Sequence, residues 1–465
     1  MPEPLWTSAE IVAATGGTLA GAAFAADGVS IDTRSIEPRD LFVPLAGVRD
    51  GHEFIGQALA SGAVAALASR PGPGNRIMVG DTLAALEALG IAARDRATKA
   101  RRGAVTGSVG KTSVTQAIAA ALALTGPSHT SVKSYNNHIG VPLTLARMPR
   151  ETERAIFEIG MNHADEIVPL SRMVQPHASV ITTVGPVHVE NFPDGEIGVA
   201  RAKAEIFAGM APGGVAILNA DNKWFDLLKD EAAQAGCKVW AFGSDPACDA
   251  RLIDIAAEAD GLRITADLHG QRLNFPLRQT GVQWGLNSLA VLLMLEALDV
   301  DLDVGLDALA AFAPLEGRGT ETSVPIAGGA FTLIDDSFNA NSLSTTAALK
   351  TLGARPASGR RIVALTDMLE LGEMSPGLHA ALAEPVAEAK VDLVFCAGPL
   401  MRSLWEALPP TRRGGYADDA AGLEPRLIHA IRPGDVVLVK GSKGSNASAL
   451  AKALTGMAVG AGDLS

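Results

Sequence analysis

The chain has 465 residues, which is too long for one hydrophobic core and predicts two to four domains. Hydrophobic residues make up 48% of it and charged residues 19%, a composition that is typical of soluble globular proteins and excludes a disordered chain. Acidic residues outnumber basic ones by 51 to 39, and the net charge of −12 argues against broad binding to nucleic acid or to an anionic membrane surface.

Residues 1–97 are predicted to form a small α/β domain. Short strands are expected at 29–32 and 40–44, and the segment 51–54 opens an alanine-rich helix. Four arginines and one lysine follow within residues 94–102, a composition that indicates a polar linker to the next domain.

Residues 98–317 are predicted to form a central domain built on a mostly parallel sheet. A short apolar strand at 102–107 runs into glycines, and a helical pattern follows at 113–124. Residues 251–277 alternate apolar and polar positions, which predicts an antiparallel appendage. Strands that alternate with helices are typical of a parallel sheet covered by helices, and further strands are expected at 154–159, 178–184 and 214–219.

The same alternation restarts after residue 317, so residues 318–465 are predicted to form a Rossmann-like domain. Its strands are expected at 331–335, 361–365, 391–396 and 435–439. The predicted fold class is therefore α/β with three domains: a small α/β domain, a central domain like that of P-loop ATPases, and a Rossmann-like C-terminal domain.

A phosphate-binding loop is predicted where residues 106–112 read Thr-Gly-Ser-Val-Gly-Lys-Thr between a strand and a helix. Glycines let backbone N–H groups approach phosphates, Lys111 is expected to reach the β- and γ-phosphates, and Thr112 to bind Mg²⁺. Val105 stands where the full pattern has its first glycine, which leaves a glycine-rich turn as the alternative; the strand–loop–helix context argues against that turn. The predicted ATP-binding residues of the loop are Gly107, Ser108, Val109, Gly110, Lys111 and Thr112.

Polar residues at two further strand ends extend the predicted site. Glu158 lies at a carboxyl strand end, where ligands bind in open α/β sheets. A carboxylate that holds a metal ion and a solvated carboxylate at a strand end are equally favoured interpretations. His188 follows the strand at 178–184, and Lys203 lies on a helical segment beyond it. Taken alone, both favour the ordinary interpretation of a loop histidine and an exposed helix lysine. Composition and spacing therefore lead to a magnesium-dependent, ATP-using α/β enzyme and no further.

Nearly the whole chain, in order, resembles the Mur ligases of cell-wall synthesis, and within them the branch that adds D-alanyl-D-alanine. The matching central segments are 106–112 (T-G-x-x-G-K-T), 136–142 (N-N-x-x-G-x-P), 158–163 (E-x-G-x-x-H), 187–192 (H-L-E-x-F) and 202–207 (A-K-x-E-I-F). The matching C-terminal segments are 335–341 (D-D-S-Y-N-A-N), 367–372, His379 and 439–442. Residues 30–34 through 51–52 look like the UDP-binding domain of this branch and the preceding one.

Two segments depart from the family pattern. After Gly441 the family's methionine-rich end is absent, and residues 442–448 differ. The other departure lies near the adenine. The family has G-x-H-N-x-x-N near the adenine, whereas residues 281–287 keep Asn287 but carry Gln283 and Trp284 in place of the usual pair. Trp284 is compatible with stacking on a base and with packing in the core. The contacts to the adenine therefore stay open.

The resemblance implies a ligase that makes an amide bond with ATP. In the family, ATP phosphorylates the carboxylate of UDP-N-acetylmuramoyl-tripeptide, and the amine of D-alanyl-D-alanine attacks the acyl phosphate. It also implies two Mg²⁺ ions, one held near Thr112 and Glu158 and the other near His188 and a carbamylated Lys203. The implied catalytic residues are Lys111, His188, Lys203 and Arg318, and the further nucleotide contacts are Asn287 and Asp336. The substrate-binding residues are expected to be Ser30, Asp32, Thr33, Arg34, Asn137, His163, Asn339 and Asn341.

Three alternatives share parts of this pattern. The preceding ligase of the family, which adds the third amino acid, has a D-N-P-R segment that is absent here. Folylpolyglutamate synthase shares the central and C-terminal domains but lacks a UDP-binding domain like residues 29–54. A P-loop nucleotide switch needs only the central domain. Whether the third residue of the tripeptide is diaminopimelate or lysine stays open.

The place of action is predicted from the cysteines and the N-terminus. Cys237, Cys248 and Cys396 form no pair at metal-binding spacing and no disulfide framework, which is typical of a reducing cytosol. Residues 1–10 lack a basic region followed by an apolar stretch, and the apolar runs are far shorter than the ~20 residues of a membrane span. We expect a cytoplasmic monomer without nucleic-acid partners or membrane insertion, serving peptidoglycan synthesis and thereby cell shape and division.

Overall fold

The computed structural model describes residues 3–460 except positions 48, 133, 259 and 356. Its strands form three large sheets that follow one another along the chain, and one short strand pair. Within the described residues no helix has both the length and the apolar character required to span a bilayer.

The first sheet is built from the N-terminal part of the chain. Its elements are β1 (Trp6–Thr7), α1 (Ser8–Thr15), β2 (Thr18–Ala20), β3 (Ala25–Ala26), β4 (Gly28–Ser30), β5 (Asp40–Phe42), α2 (Ile55–Ala60), β6 (Ala65–Ala68), β7 (Arg76–Met78) and α3 (Thr82–Arg96). The sheet order is β2-β7-β6-β5-β4, and β1 pairs with β3. α3 begins where Asp81 Oδ1 accepts hydrogen bonds from the N–H groups of Leu83 and Ala84.

The charged segment 94–102 is only in part the predicted linker: residues 97–100 connect α3 to β8, whereas its four arginines lie in those two elements. Arg94 and Arg96 lie in the last turn of α3, and the next strand begins at Arg101. Arg94 is only 8% exposed and donates to the carbonyl oxygen of Met173 at 2.8 Å. The arginines therefore bind α3 to the central part of the chain, because a guanidinium can donate to several backbone carbonyls. A count of charged residues does not reveal such contacts.

The second sheet occupies the centre of the chain and has nine strands. Its elements are β8 (Arg101–Thr106), α4 (Lys111–Leu122), β9 (Ser128–Thr130), α5 (Gly140–Ala146), β10 (Arg154–Glu158), α6 (Ile167–Val174), β11 (Ala178–Ile181), α7 (Glu196–Ala204), β12 (Val215–Asn219), α8 (Phe225–Gln234), β13 (Lys238–Gly243), β14 (Ala250–Glu258), β15 (Gly261–Leu268), β16 (Gln271–Leu277), α9 (Trp284–Ala297) and α10 (Leu302–Ala311). The order is β16-β15-β14-β13-β12-β11-β8-β10-β9. Its cores lie between the sheet and α4, α9 and α10 on one face, and α5 to α8 on the other.

The predicted antiparallel appendage continues this sheet instead of standing apart. β14 pairs in parallel with β13 and antiparallel with β15, and β15 pairs antiparallel with β16. Its apolar positions, such as Ile264 and Phe275, are buried in the same core as α9. The alternation of apolar and polar residues thus reflects one covered face.

The third sheet contains six strands from the C-terminal part. Its elements are β17 (Thr320–Ile326), β18 (Gly329–Asp336), α11 (Ser342–Ala354), β19 (Arg361–Thr366), α12 (Ser375–Ala380), α13 (Ala383–Glu388), β20 (Leu393–Ala397), α14 (Arg402–Ala407), β21 (Arg413–Ala417), α15 (Ala420–Ala430), β22 (Val436–Lys440) and α16 (Ala447–Gly460). The order is β17-β18-β22-β19-β20-β21, and only β17 is antiparallel to its neighbour.

The strand order brings the predicted phosphate loop and its neighbours to one edge. β8 lies between β11 and β10, so the loop after β8 is flanked by the carboxyl ends of both strands. β11 ends at Ile181, three residues before the predicted strand end at Val184. The chain leaves the sheet there because the Thr183 carbonyl accepts from the N–H of Ser108 at 2.8 Å.

Candidate functional site

The phosphate loop is braced from behind by the chain that follows β11. Gly107 and Gly110 have φ angles of 145° and 88°, and a Cβ on Gly107 would lie 2.0 Å from Thr182 Oγ1. The Thr182 hydroxyl donates to the carbonyl of Val109 at 2.5 Å. Only glycine fits this conformation and this close approach. The loop therefore presents the first backbone N–H groups of α4, which helices leave unsatisfied, to an anion.

A cleft of about 530 Å³ lies where the central and C-terminal sheets meet. Its wall combines the phosphate loop with residues that follow β10, β11 and β18. The predicted site residues that line it are Ser108, Val109, Gly110, Lys111, Thr112, Glu158, His188, Asn287, Arg318, Asp336, Asn339 and Asn341. A groove of about 670 Å³ on the other side of α7 contains none of them.

The cleft brings together cations that are partly removed from solvent. Lys111 Nζ donates to the Gly107 carbonyl at 2.7 Å, and burial lowers the pKa of Lys111 while Glu158 opposes that shift. Burial also lowers the pKa of Arg318, whose guanidinium lies 4.0 Å from the ring centre of Phe338. Among the described residues the guanidinium of Arg318 has no hydrogen-bond or ion-pair partner. An unpaired guanidinium held against an aromatic ring is suited to a phosphate.

Lys203 is buried, so its ordinary interpretation as an exposed helix lysine is wrong. The residue lies on α7 and is only 2% exposed. Burial lowers the pKa of Lys203 well below its usual value, and the charge of Lys111 adds to this shift. In the part of the chain that the structure describes, the side-chain amine of Lys203 forms no hydrogen bond and no ion pair. A buried, uncharged amine is the form that reacts with carbon dioxide to give a carbamate.

His188 lies in the cleft and is affected by the charges of both lysines. Burial, then Lys111 and then Lys203 lower the pKa of His188 to about 4, which leaves the ring neutral near pH 7. Its Nδ1 lies 2.8 Å from Glu370 Oε2, in the C-terminal part of the chain. A neutral imidazole with one nitrogen still available is the state that binds a metal ion.

The donors around Glu158 fit Mg²⁺. Glu158 is 3% exposed rather than solvated, and its Oε1 accepts from Asn136 Nδ2 at 2.7 Å. Thr112 Oγ1 lies 3.3 Å from Ser134 Oγ. The described residues contain no cluster of three or more His, Cys, Asp or Glu side chains fit to hold a metal. One carboxylate with hydroxyls matches Mg²⁺, which takes its remaining oxygens from water and phosphates.

Several predicted substrate residues lie outside the cleft. Asn137 is exposed, and its Oδ1 accepts from the N–H groups of Ile139 and Gly140 at the start of α5. His163 is exposed and lies 3.1 Å from Glu166. The N-terminal residues Ser30, Asp32, Thr33 and Arg34 surround the end of β4, with Arg34 paired to Asp32 at 2.6 Å.

The sequence reasoning missed other residues that line the cleft. Asn136 contacts Glu158, Phe338 supports Arg318, and Lys440 Nζ lies 2.7 Å from Asp336 Oδ2. Lys440 is 2% exposed and also donates to the carbonyl of Asn339. Burial raises the pKa of Asp336, and the charge of Lys440 opposes that rise. Asn136 and Lys440 lie inside segments that match the family pattern, so the sequence contained a signal that could have identified them.

Trp284 packs into the core and also lines the cleft. It is 4% exposed, and its ring centre lies 5.7 Å from that of Phe312. We expect Trp284→Ala to lower the free energy of unfolding by about 3–5 kcal/mol, the usual cost of emptying an aromatic core site. Chemical denaturation measures this change. A loss of nucleotide affinity with parent-like stability would contradict the core assignment.

The chain is similar to known proteins along most of its length. Residues 105–295 match the model of the Mur ligase middle domain, and residues 323–443 match that of the Mur ligase glutamate ligase domain. The UDP-N-acetylmuramoyl-tripeptide--D-alanyl-D-alanine ligase of Escherichia coli (strain K12) is 35% identical over 445 residues, 94% of this chain and 96% of that protein. The protein of the same name from Bacillus subtilis (strain 168) is 32% identical, over 92% of this chain and 93% of its own.

A solved structure agrees with these sequence matches. The crystal structure of MurF from Acinetobacter baumannii has a TM-score of 0.86 at 27% identity, covering 97% of this chain and 98% of that one. The likeness confirms the predicted α/β fold class with its three-part architecture. It also extends through the N-terminal sheet, which neither domain model covers. The chain belongs to the Mur ligase family.

Proposed function

We propose that this chain joins D-alanyl-D-alanine to UDP-N-acetylmuramoyl-tripeptide with ATP, in the synthesis of peptidoglycan precursors. Relatives of that name match more than nine-tenths of the chain. The observation that carries the proposal is the cleft in which the phosphate loop faces Arg318 and Asp336. A ligase needs this arrangement because the nucleotide, the activated carboxylate and the amine must meet in one place.

The chemistry is carboxylate activation. A carboxylate oxygen is a poor leaving group, so the tripeptide carboxylate attacks the γ-phosphorus of ATP, giving an acyl phosphate and ADP. The amine of D-alanyl-D-alanine then attacks the acyl carbon, a proton leaves the nitrogen, and phosphate departs. The protein contributes positioning and charge stabilisation.

The cations of the cleft are assigned to the phosphates. Lys111 exchanges the carbonyl of Gly107 for phosphate oxygens, and Arg318 binds the γ-phosphate from the opposite wall. Asp336 stays paired with Lys440 through Oδ2, and its other carboxylate oxygen binds the ribose. Because Lys111 belongs to the central part and Arg318 to the C-terminal part, transfer requires both to be docked on the nucleotide.

The metal assignments follow the donors. Mg²⁺, when bound, neutralises charge on the phosphates. Thr112 and Glu158 would hold the first ion, and His188 with a carbamylated Lys203 would hold a second. The carbamate would turn a buried amine into an anionic oxygen ligand, which is a reason for a lysine at this position.

The domain boundaries and the substrate contacts are part of the same proposal. The chain divides into domains at 97/98 and 317/318, and a short segment connects the sheets at each point. The UDP moiety is bound near Ser30, Asp32, Thr33 and Arg34, while Asn137, His163, Asn339 and Asn341 contact the peptide parts. The protein acts as a cytoplasmic monomer.

Phosphate release tests the proposed function. We expect release from ATP only when a UDP-N-acetylmuramoyl-tripeptide and D-alanyl-D-alanine are both present, because the second attack completes the cycle. L-alanyl-L-alanine serves as the matched control amine. Full-rate release with nucleotide alone, or with folate and glutamate, would show that the proposal is wrong.

A further inference from the structure

A turn of the C-terminal part, residues 367–372, contacts the central part beside the proposed metal site. The turn follows β19, and its Glu370 Oε2 lies 2.8 Å from His188 Nδ1. At Gly372 the two parts touch closely, since a Cβ there would lie 2.7 Å from Glu190 Cβ. The segment stood out in the sequence, and the proposed chemistry gives it no role.

The turn is fixed from behind by two side chains of its own domain. The N–H of Met368 donates to Nε2 of the fully buried His379, whose Nδ1 lies 2.7 Å from the Ser375 carbonyl. The N–H of Leu369 donates to Ser442 Oγ at 3.0 Å. Glu370 therefore projects from a rigid support, although its own side chain is 58% exposed.

The backbone at the contact adopts an uncommon conformation on both sides. His188 has a φ of 59° and Glu370 a φ of 62°, so both are non-glycine residues in the left-handed region. Such conformations cost energy, persist where the surroundings hold them, and cluster at functional sites. Here they occur in the two residues that face each other across the domain junction.

We propose that Glu370 is a positioning residue that orients the imidazole of His188 for the second metal ion and makes this orientation depend on docking of the C-terminal domain. The inference rests on the proposed function. Metal-binding histidines usually direct their other nitrogen to a carboxylate, which fixes the ring. With Nδ1 turned to Glu370, Nε2 is the nitrogen that remains for the ion. The oxygen lies off the N–H direction of Nδ1, so the pair is a close polar contact between a neutral imidazole and a carboxylate, and not an aligned hydrogen bond.

Three variants of the full chain test the proposal. Glu370→Ala removes the acceptor, Glu370→Gln keeps an acceptor oxygen, and Glu373→Ala removes the same charge from an exposed position on the next turn. Mn²⁺ is titrated into each protein saturated with a non-hydrolysable ATP analogue, and bound Mn²⁺ is read by electron paramagnetic resonance. The affinity measured is that of the ion bound in addition to the one carried by the nucleotide.

We expect Glu370→Ala to weaken that affinity about 10–100-fold, the usual effect of removing the partner of a ligating histidine. Glu370→Gln should stay within a few-fold of the parent, and Glu373→Ala should match it. In turnover, Glu370→Ala should lower kcat without raising the KM for ATP.

Two outcomes overturn the proposal: parent-like Mn²⁺ affinity in Glu370→Ala, or an equal loss in Glu370→Ala and Glu373→Ala. Thermal unfolding of the same preparations identifies a loss that comes from unfolding. A parent protein that binds Mn²⁺ and nucleotide but joins no D-alanyl-D-alanine refutes the proposed function instead. In that case the ratio of the Mn²⁺ affinities of the parent and Glu370→Ala still tests the role of Glu370.

Discussion

Replacing Lys203 by methionine is expected to abolish ligation and leave the protein folded. Methionine fills the same buried space on α7, where Lys203 is 2% exposed, but cannot carry a carbamate. Because a ligand of the metal is lost, turnover should fall by more than the ~10–100-fold that loss of an outer partner costs. Lys452→Ala, an exposed helix lysine on α16, is the matched control and should change stability by no more than about ±0.5 kcal/mol.

A second measurement separates lost chemistry from lost packing. Lys203→Ala leaves a space in which formate or acetate can supply the missing anionic oxygen, so either salt in excess should restore part of the activity. Chloride at the same ionic strength should restore none. An active Lys203→Ala variant without added carboxylate would remove Lys203 from the site, as would a bare, unmodified amine in the active parent enzyme.

Replacing Lys111 by alanine should lower turnover about 10²–10³-fold, which is typical for loss of a preorganised group that stabilises developing charge. The Nζ of Lys111 already lies over the phosphate loop, 2.7 Å from the Gly107 carbonyl, so little rearrangement precedes its contact with phosphate. Nucleotide affinity should fall less than kcat, because the backbone N–H groups of the loop remain.

The control for this change is an exposed lysine of the central part that has no proposed phosphate contact. Lys223 is exposed and paired with Glu196, and Lys223→Ala should turn over like the parent. Activity of Lys111→Ala within a few-fold of the parent would contradict the role assigned to Lys111.

The central sheet and its phosphate loop were predictable because local rules govern them. Apolar strands that alternate with helices specify a parallel sheet, and the loop glycines at positions 107 and 110 take positive φ angles as expected. For Glu158 the same reasoning left a metal ion and a solvated strand end equally open, and the structure shows the side chain only 3% exposed. β11 ends three residues earlier than predicted, where the chain turns and the Thr183 carbonyl accepts from the N–H of Ser108 in the loop.

The burial of Lys203 was not predictable from local pattern. Alanines and a valine surround it on α7, so the helix lacks the strong apolar stripe that would identify an inward face. The contact between His188 and Glu370 depends on how two domains dock, which no local pattern encodes. Arg94 was misjudged for a related reason: its carbonyl partner comes from a distant helix.

The most direct test of the central claim is the mass of the product. The protein is incubated with ATP, Mg²⁺, UDP-N-acetylmuramoyl-tripeptide and equal amounts of D-alanyl-D-alanine and L-lysine, and the uridine-containing products are identified by mass spectrometry. We predict one product, the tripeptide extended by D-alanyl-D-alanine, in a one-to-one ratio with released phosphate. Extension by lysine, or phosphate release without any extended product, would contradict the account.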